Sequence, residues 1–205
     1  MVAIGYKIFM IKKHFKQQLD TLIQVYESFD TKDADLLLQD CVSAIKSGKK
    51  IISSGLGKNA PICEKFNGTL NSIGIKGYFL NTNSAIHGDL GVIEDGDIVI
   101  LLSKSGDTEE TVRLAKIIKK FKTKNWLLTC SNSSKTEKLV NNTVNFNLSK
   151  EGDPWNILPN NSTILFLVFL QSLAMSLIEK ENIPIFIVKR NHPGGSIGEK
   201  LQKIK

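Results

Sequence analysis

Ser103, Ser105 and Thr108 cluster around Gly106, between an aliphatic run at 98–102 and a helically spaced segment at 107–120. A hydroxyl-rich turn feeding a helix N-terminus offers O–H donors and free backbone N–H groups together. That combination holds a phosphate without a metal. A second small turn, Ser53-Ser54-Gly55-Leu56-Gly57-Lys58, ends another aliphatic run. Ser53, Ser54 and Gly55 add phosphate donors there, and Lys58 stands at the rim as a cation for ligand oxygens. The plain alternative for both turns is a polar loop with an N-cap.

Proton-transfer groups lie elsewhere in the chain. His87 precedes Gly88-Asp89-Leu90-Gly91, and His192 precedes Pro193-Gly194-Gly195, both constrained turns. Histidine titrates near neutrality and suits acid–base work. Glu110 sits one helical turn beyond the hydroxyl cluster, and Glu151 lies in a loop bearing Pro154 and Pro159. His14, the third imidazole, falls on the first helix.

Two nucleotide readings fail on detail. Gly55-Leu56-Gly57-Lys58-Asn59-Ala60 fits the dinucleotide fingerprint, but the next strand runs Tyr78-Phe79-Leu80 into Asn81, with no acid for a ribose. Lys58 is followed by Asn, not Ser or Thr, so the turn is no P-loop.

These residues need elements to position them. Apolar spacing predicts helices at 7–29, 33–46, 59–73, 107–120, 136–140 and 161–181, with a short terminal helix after His192. Strands are predicted at 50–54, 77–80, 98–102, 125–129 and 143–148, with 183–188 extended. Strands and helices alternate, the pattern of a doubly wound, mostly parallel five-stranded α/β sheet flanked by helices. Ligands of such sheets bind at the strands' carboxyl ends. That rule gathers 54–58, 87–91, 103–110 and 151–162 on one edge.

Composition limits the function classes. The chain has 205 residues, 41% of them apolar, enough for one packed domain. Net charge is +7, from 27 basic and 20 acidic residues. The excess is spread over lysine-rich helix faces, and the only arginines are Arg113 and Arg190. A base-reading nucleic-acid partner is therefore not expected. Three scattered cysteines make no metal or disulfide framework and fit a reducing, cytoplasmic setting. The apolar run at 164–178 is short for a membrane span and reads as a core or interface helix. Residues 1–10 read as the lead-in to the first helix, not a signal peptide.

Five motifs occur in order: Ser-Gly-Leu-Gly-Lys, His-Gly-Asp-Leu-Gly, Ser-x-Ser-Gly-x-Thr-Glu-Glu, Pro-x-x-x-x-Pro-x-x-Ser-Thr and His-Pro-Gly-Gly-x-x-Gly. With them the chain resembles the sugar isomerase (SIS) domain, specifically the D-arabinose 5-phosphate isomerases. The resemblance implies a flavodoxin-like or Rossmann-like three-layer sandwich and interconversion of D-arabinose 5-phosphate and D-ribulose 5-phosphate. It also implies a place in 3-deoxy-D-manno-octulosonate (Kdo) synthesis for lipopolysaccharide or capsule. In that family the residues matching Lys58, His87, Glu110, Glu151 and His192 line the active site. The resemblance further implies homotetramers with sites between subunits and no cofactor. No metal is required, though His87 and His192 could trap an inhibitory one. The expected organisation is one SIS domain over 1–205, with leading helices at 7–47 and no CBS domains. Another SIS isomerase, for a heptose or hexulose phosphate, and a non-catalytic sugar-phosphate sensor are the alternatives. Two departures lie near the substrate: Lys104, where the family commonly has Asn, and the loop after Glu151.

Overall fold

Five parallel strands form one sheet in the computed structural model, which describes residues 2–203, with side chains from Met10 onward. Met1, Ile204 and Lys205, the outer ends of the expected domain, lie outside the described residues. The strands are β1 (Ile51–Gly55), β2 (Gly77–Phe79), β3 (Ile98–Leu102), β4 (Lys124–Thr129) and β5 (Asn142–Asn145), in spatial order β2-β1-β3-β4-β5. The helices are α1 (Val2–Glu27), α2 (Lys32–Lys46), α3 (Ala60–Ser72), α4 (Glu109–Ile118), α5 (Asn161–Lys180), α6 (Ile185–Asn191) and α7 (Gly195–Gln202).

Both faces of the sheet are covered, which is why the inner strands read as unbroken aliphatic runs. β3 is buried at every position. Ile98, Ile100, Leu102, Trp126, Leu128 and Val144 pack on one side against Leu37, Phe66, Leu70, Phe166 and Leu170 from α2, α3 and α5. The alternate residues Ile52, Val99, Leu101 and Leu127 face the other side, against Leu114, Ala115 and Ile118 of α4. The period of two in a strand divides the two layers.

Two polar fixtures tie strands to their surroundings. Asp97 is fully buried just before β3. It accepts from the amides of Lys50 (2.9 Å) and Glu94 (2.8 Å) and pairs with the Lys50 ammonium at 3.3 Å. Asp40 of α2 accepts from Trp126 Nε1 at 3.1 Å and pairs with Lys124. Helix α5 is long and apolar enough to cross a membrane by length and composition alone. In this fold Leu165, Phe166, Leu170, Leu173, Ala174 and Leu177 are buried in the α2/α3 layer.

One element differs from the sequence expectation. Residues 183–188 are not an extended segment; from Ile185 they enter α6. The aliphatic run invites a strand reading, but only Pro184, the N-cap, keeps extended backbone (φ −77°, ψ 145°), and the helix begins at the next residue, Ile185. The helix is held by packing: Ile187 lies against Gly74, and Asn191 Nδ2 donates to the carbonyls of Asn71 (3.2 Å) and Ser72 (3.3 Å). Those carbonyls close the C-terminal end of α3. Smaller differences concern ends. Residues 57–59 form a 3-10 turn before α3, and the segment expected as a helix at 136–140 is a 3-10 turn at Glu137–Leu139.

Candidate active site

The strand order reverses between β1 and β3. The β1–β2 crossover runs through α3 on one face, and the β3–β4 crossover through α4 on the other. A crevice opens at the carboxyl ends of strands where connections part in this way. Gly55 pairs in register with Leu102, so the turns after the two strands emerge side by side. Asn59 Nδ2 spans them, donating to Leu102 O at 3.4 Å. Between them lies a cleft of about 640 Å³. One wall carries Leu56 to Asn59, the other Ser103, Lys104, Ser105, Thr108 and Thr111, with Pro159 at its edge. Lys58 and Lys104 are the charged residues of this lining, which includes no carboxylate.

The β3 turn is rigid for identifiable reasons. Gly106 has φ +65°, and a Cβ there would fall 2.2 Å from Ser134 Oγ, so both conformation and space call for glycine. Its amide donates to Ser103 Oγ at 3.1 Å, and the Asp107 amide donates to Ser105 Oγ at 3.2 Å. Ser103 Oγ and Thr108 Oγ1 lie 3.4 Å apart. Cys130 N and Thr129 Oγ1 both donate to Lys104 O at 3.0 Å, clamping the turn onto the end of β4. Thr108 occupies the N-cap of α4 but makes no side-chain cap bond. The first amides of α4 thus keep the unsatisfied donors of any helix start. Thr111, one turn in, is only 2% exposed, and its hydroxyl has no protein partner. A buried hydroxyl without a partner is costly unless a ligand or water completes it. Ser103, Ser105 and Thr108 are therefore together at the cleft, with Thr111, Lys104 and Asn59 beside them.

The β1 turn is arranged differently. Ser53 Oγ accepts from Asn67 Nδ2 at 2.6 Å, deep against α3. Ser54 Oγ shares a 2.9 Å hydrogen bond with Thr82 Oγ1. Both side chains are buried and outside the cleft lining, so they brace the strand end. Gly55 permits the close approach of α3: a Cβ there would sit 2.8 Å from Asn59 Cβ. Gly57, at φ +57°, turns the chain so that exposed Lys58 reaches the rim.

Glu151 lies behind the cleft wall, 2% exposed. Its carboxylate accepts from Ser162 Oγ (2.5 Å), Asn160 N (3.0 Å) and Ser162 N (3.1 Å) at the start of α5. Lys104 Nζ adds an ion pair at 3.0 Å. Burial pushes this carboxyl up, but the Ser162 hydroxyl, the two amides and Lys104 together outweigh it. The net pKa falls below the ordinary carboxylate value, so Glu151 is ionised at neutral pH. The N-cap itself is Asn160, whose Oδ1 accepts from Asn161 N at 2.6 Å. Asp153 fixes the intervening loop by accepting from the amides of Trp155 (3.0 Å), Ile157 (3.0 Å) and Leu158 (2.9 Å).

The remaining expected residues do not converge within one chain. Glu110 is exposed on the first turn of α4, outside the cleft lining. His87 ends a 3-10 turn beyond β2, exposed and two strands from β3. His192 follows α6, which docks on the C-terminal end of α3, so it lies toward the sheet's opposite, amino-terminal edge. Its Nδ1 sits 2.8 Å from Val188 O, which fixes the ring as a donor at that nitrogen and leaves Nε2 free. His87 and His192 therefore cannot share a metal within one chain. Among the described residues no group of His, Cys, Asp and Glu is arranged to hold one.

The sequence profile of the SIS domain matches residues 44–187, which include both turns, the cleft and α5. The chain belongs to the SIS domain family. It is 33% identical over 151 residues to "Arabinose 5-phosphate isomerase KpsF" of Escherichia coli, covering 74% of this chain and 48% of that protein. It is 30% identical over 190 residues to "Arabinose 5-phosphate isomerase KdsD" of Francisella tularensis, covering 91% of this chain and 57% of that one. The chain thus spans about half the length of the curated relatives it matches. A solved E. coli CFT073 protein in complex with arabinose 5-phosphate superposes with a TM-score of 0.84 at 28% identity, over 92% of this chain and 98% of that one.

Proposed function

We propose that this SIS domain interconverts D-arabinose 5-phosphate and D-ribulose 5-phosphate through a cis-enediol. The observation that carries the reading is the acid-free cleft at the switch point, where two ammonium groups and the hydroxyls of Ser103, Ser105, Thr108 and Thr111 meet the start of α4. Such a cleft suits a phosphate dianion. The relatives' names and the arabinose 5-phosphate bound by the E. coli CFT073 protein support the choice of sugar.

In this reading the phosphate rests on the β3 turn and the α4 amides, and Lys58 holds sugar oxygens. Glu110 or His192 moves the proton between C1 and C2. His87 opens the ring and protonates oxygen, and Glu151 orients its neighbours. Since one chain keeps His192 far from its own cleft, His192 acts in a neighbouring subunit's cleft, and the enzyme is a homo-oligomer, which we take to be a tetramer. No cofactor enters the reaction. The product would feed Kdo synthesis for lipopolysaccharide or capsule, in the cytoplasm.

Incubation with ribulose 5-phosphate in heavy water tests the chemistry. Arabinose 5-phosphate carrying carbon-bound deuterium is expected by NMR. Product without label rules out a base that exchanges with solvent, and no turnover across pentose, hexose and heptose phosphates rules out the isomerase.

A further inference from the structure

We propose that Lys104 is a ligand-binding, specificity-determining residue: its ammonium is a second cation, facing Lys58 across the cleft, that selects for a doubly charged phosphate. The inference rests on the reading above only in taking the ligand to be a phosphate ester.

The ion pair with Glu151 does not by itself explain Lys104. Glu151 already accepts three hydrogen bonds from the start of α5. A carboxylate so supplied stays ionised without a cation. Lys104 uses one of its three N–H donors on Glu151 Oε1 at 3.0 Å, and its side chain is 38% exposed. Its main chain is anchored, since its carbonyl takes the Cys130 amide and the Thr129 hydroxyl. The stem therefore starts from a fixed point in the cleft wall, and Glu151 fixes where the ammonium ends. A flexible point charge becomes a positioned one, with two donors left over in a side chain that lines the cleft.

The charge count in the cleft gives the selectivity. Lys58 and Lys104 supply two positive charges to a lining that holds no acid. Glu151, behind the wall, offsets only part of the Lys104 charge because its carboxylate is shared with three hydrogen-bond donors of α5 and the residue before it. A phosphate ester has a second pKa of about 6, so it is a dianion at neutral pH and a monoanion in mild acid. The second cation rewards the dianion and disfavours neutral sugars.

The test compares wild type, K104N and K104R for inhibition by, or binding of, inorganic phosphate, and for kcat and KM with arabinose 5-phosphate. For K104N, a roughly tenfold rise in phosphate dissociation constant and in KM is expected, the scale of one charged hydrogen bond. The change in kcat should stay within about twofold, because the contact exists in ground and transition states alike. K104R should recover much of the loss. The wild-type advantage should shrink below about pH 6, as the phosphate loses its second charge. Equal phosphate binding by wild type and K104N at pH 8 overturns the proposal, as does a loss confined to kcat or one that K104R leaves unrestored. Should K104N not fold, K104Q takes its place under the same criteria. A wild type that binds phosphate tenfold better than K104N but leaves the sugar unturned would overturn the proposed reaction and keep this inference. A working isomerase whose K104N variant binds phosphate equally well would do the reverse.

Discussion

Thr111 shows how much one atom can matter at this cleft. Its hydroxyl is buried and unpartnered, in the first turn of a helix whose N-cap makes no side-chain bond. Replacing it with valine keeps the shape and removes the stranded donor. T111V is expected to change unfolding free energy by less than about 1 kcal/mol, while phosphate binding weakens several-fold. Denaturant melts and a phosphate titration on the same variant check both halves. The Ser103–Thr108 cluster was legible in the sequence because hydroxyls grouped around a glycine between a strand and a helix suit an anion, although a plain capped loop reads the same way until the cleft beside it is seen. Thr111 was not, since inside an amphipathic pattern a threonine is an ordinary occupant. Asn59 was hidden for a similar reason: its bond to Leu102 O depends on strand register, which spacing does not encode. The β1 serines erred the other way. Their type fits a phosphate, but Asn67 and Thr82 already occupy their hydroxyls.

At the scale of elements, the start of α5 connects packing to the cleft. Glu151 collects the first donors of that helix and reaches Lys104 on the wall of the next layer. Its pKa is lowered in the fold, so its stabilisation is complete above the ordinary glutamate value of about 4.3 and is lost as pH falls through the lower folded value. Wild-type unfolding free energy should fall on acidification below about pH 5, and E151Q should show a flatter fall. At neutral pH E151Q should be less stable by about 2 kcal/mol, the scale of charged hydrogen bonds replaced by neutral ones. Urea melts across the pH range measure both. The sequence placed Glu151 beside α5 but not its partners, because the loop between them folds back through Asp153 and Asn160. The sheet was the most legible feature, since burial on both faces leaves only aliphatic residues in its central strands. Residues 183–188 misled because a short aliphatic run has no period of its own. Only docking on α3 decides for the helix.

For the whole molecule, the two edges of the sheet carry different chemistry. The cleft opens at the carboxyl edge, and His192 sits toward the amino edge. Along α1, Ile11, Phe15, Leu19 and Ile23 recur every fourth residue and stay exposed, a stripe suited to association. We expect F15K/I23K to sediment as a smaller species while keeping its helical circular dichroism. Mixing K58A with H192A should restore part of the activity that each lacks alone, as a shared catalytic centre requires. An inactive mixture would place both residues in one subunit's reaction.

The protein also carries its own optical reporter. Of its two tryptophans, Trp126 is sealed beneath α2, while Trp155 is 69% exposed on the Asp153-braced loop that leads to Pro159 at the cleft edge. Iodide can collide with the second indole and not with the first. The quenchable part of the emission therefore comes from that loop alone, so movement of the segment leading to Pro159 can be followed by light with no label attached.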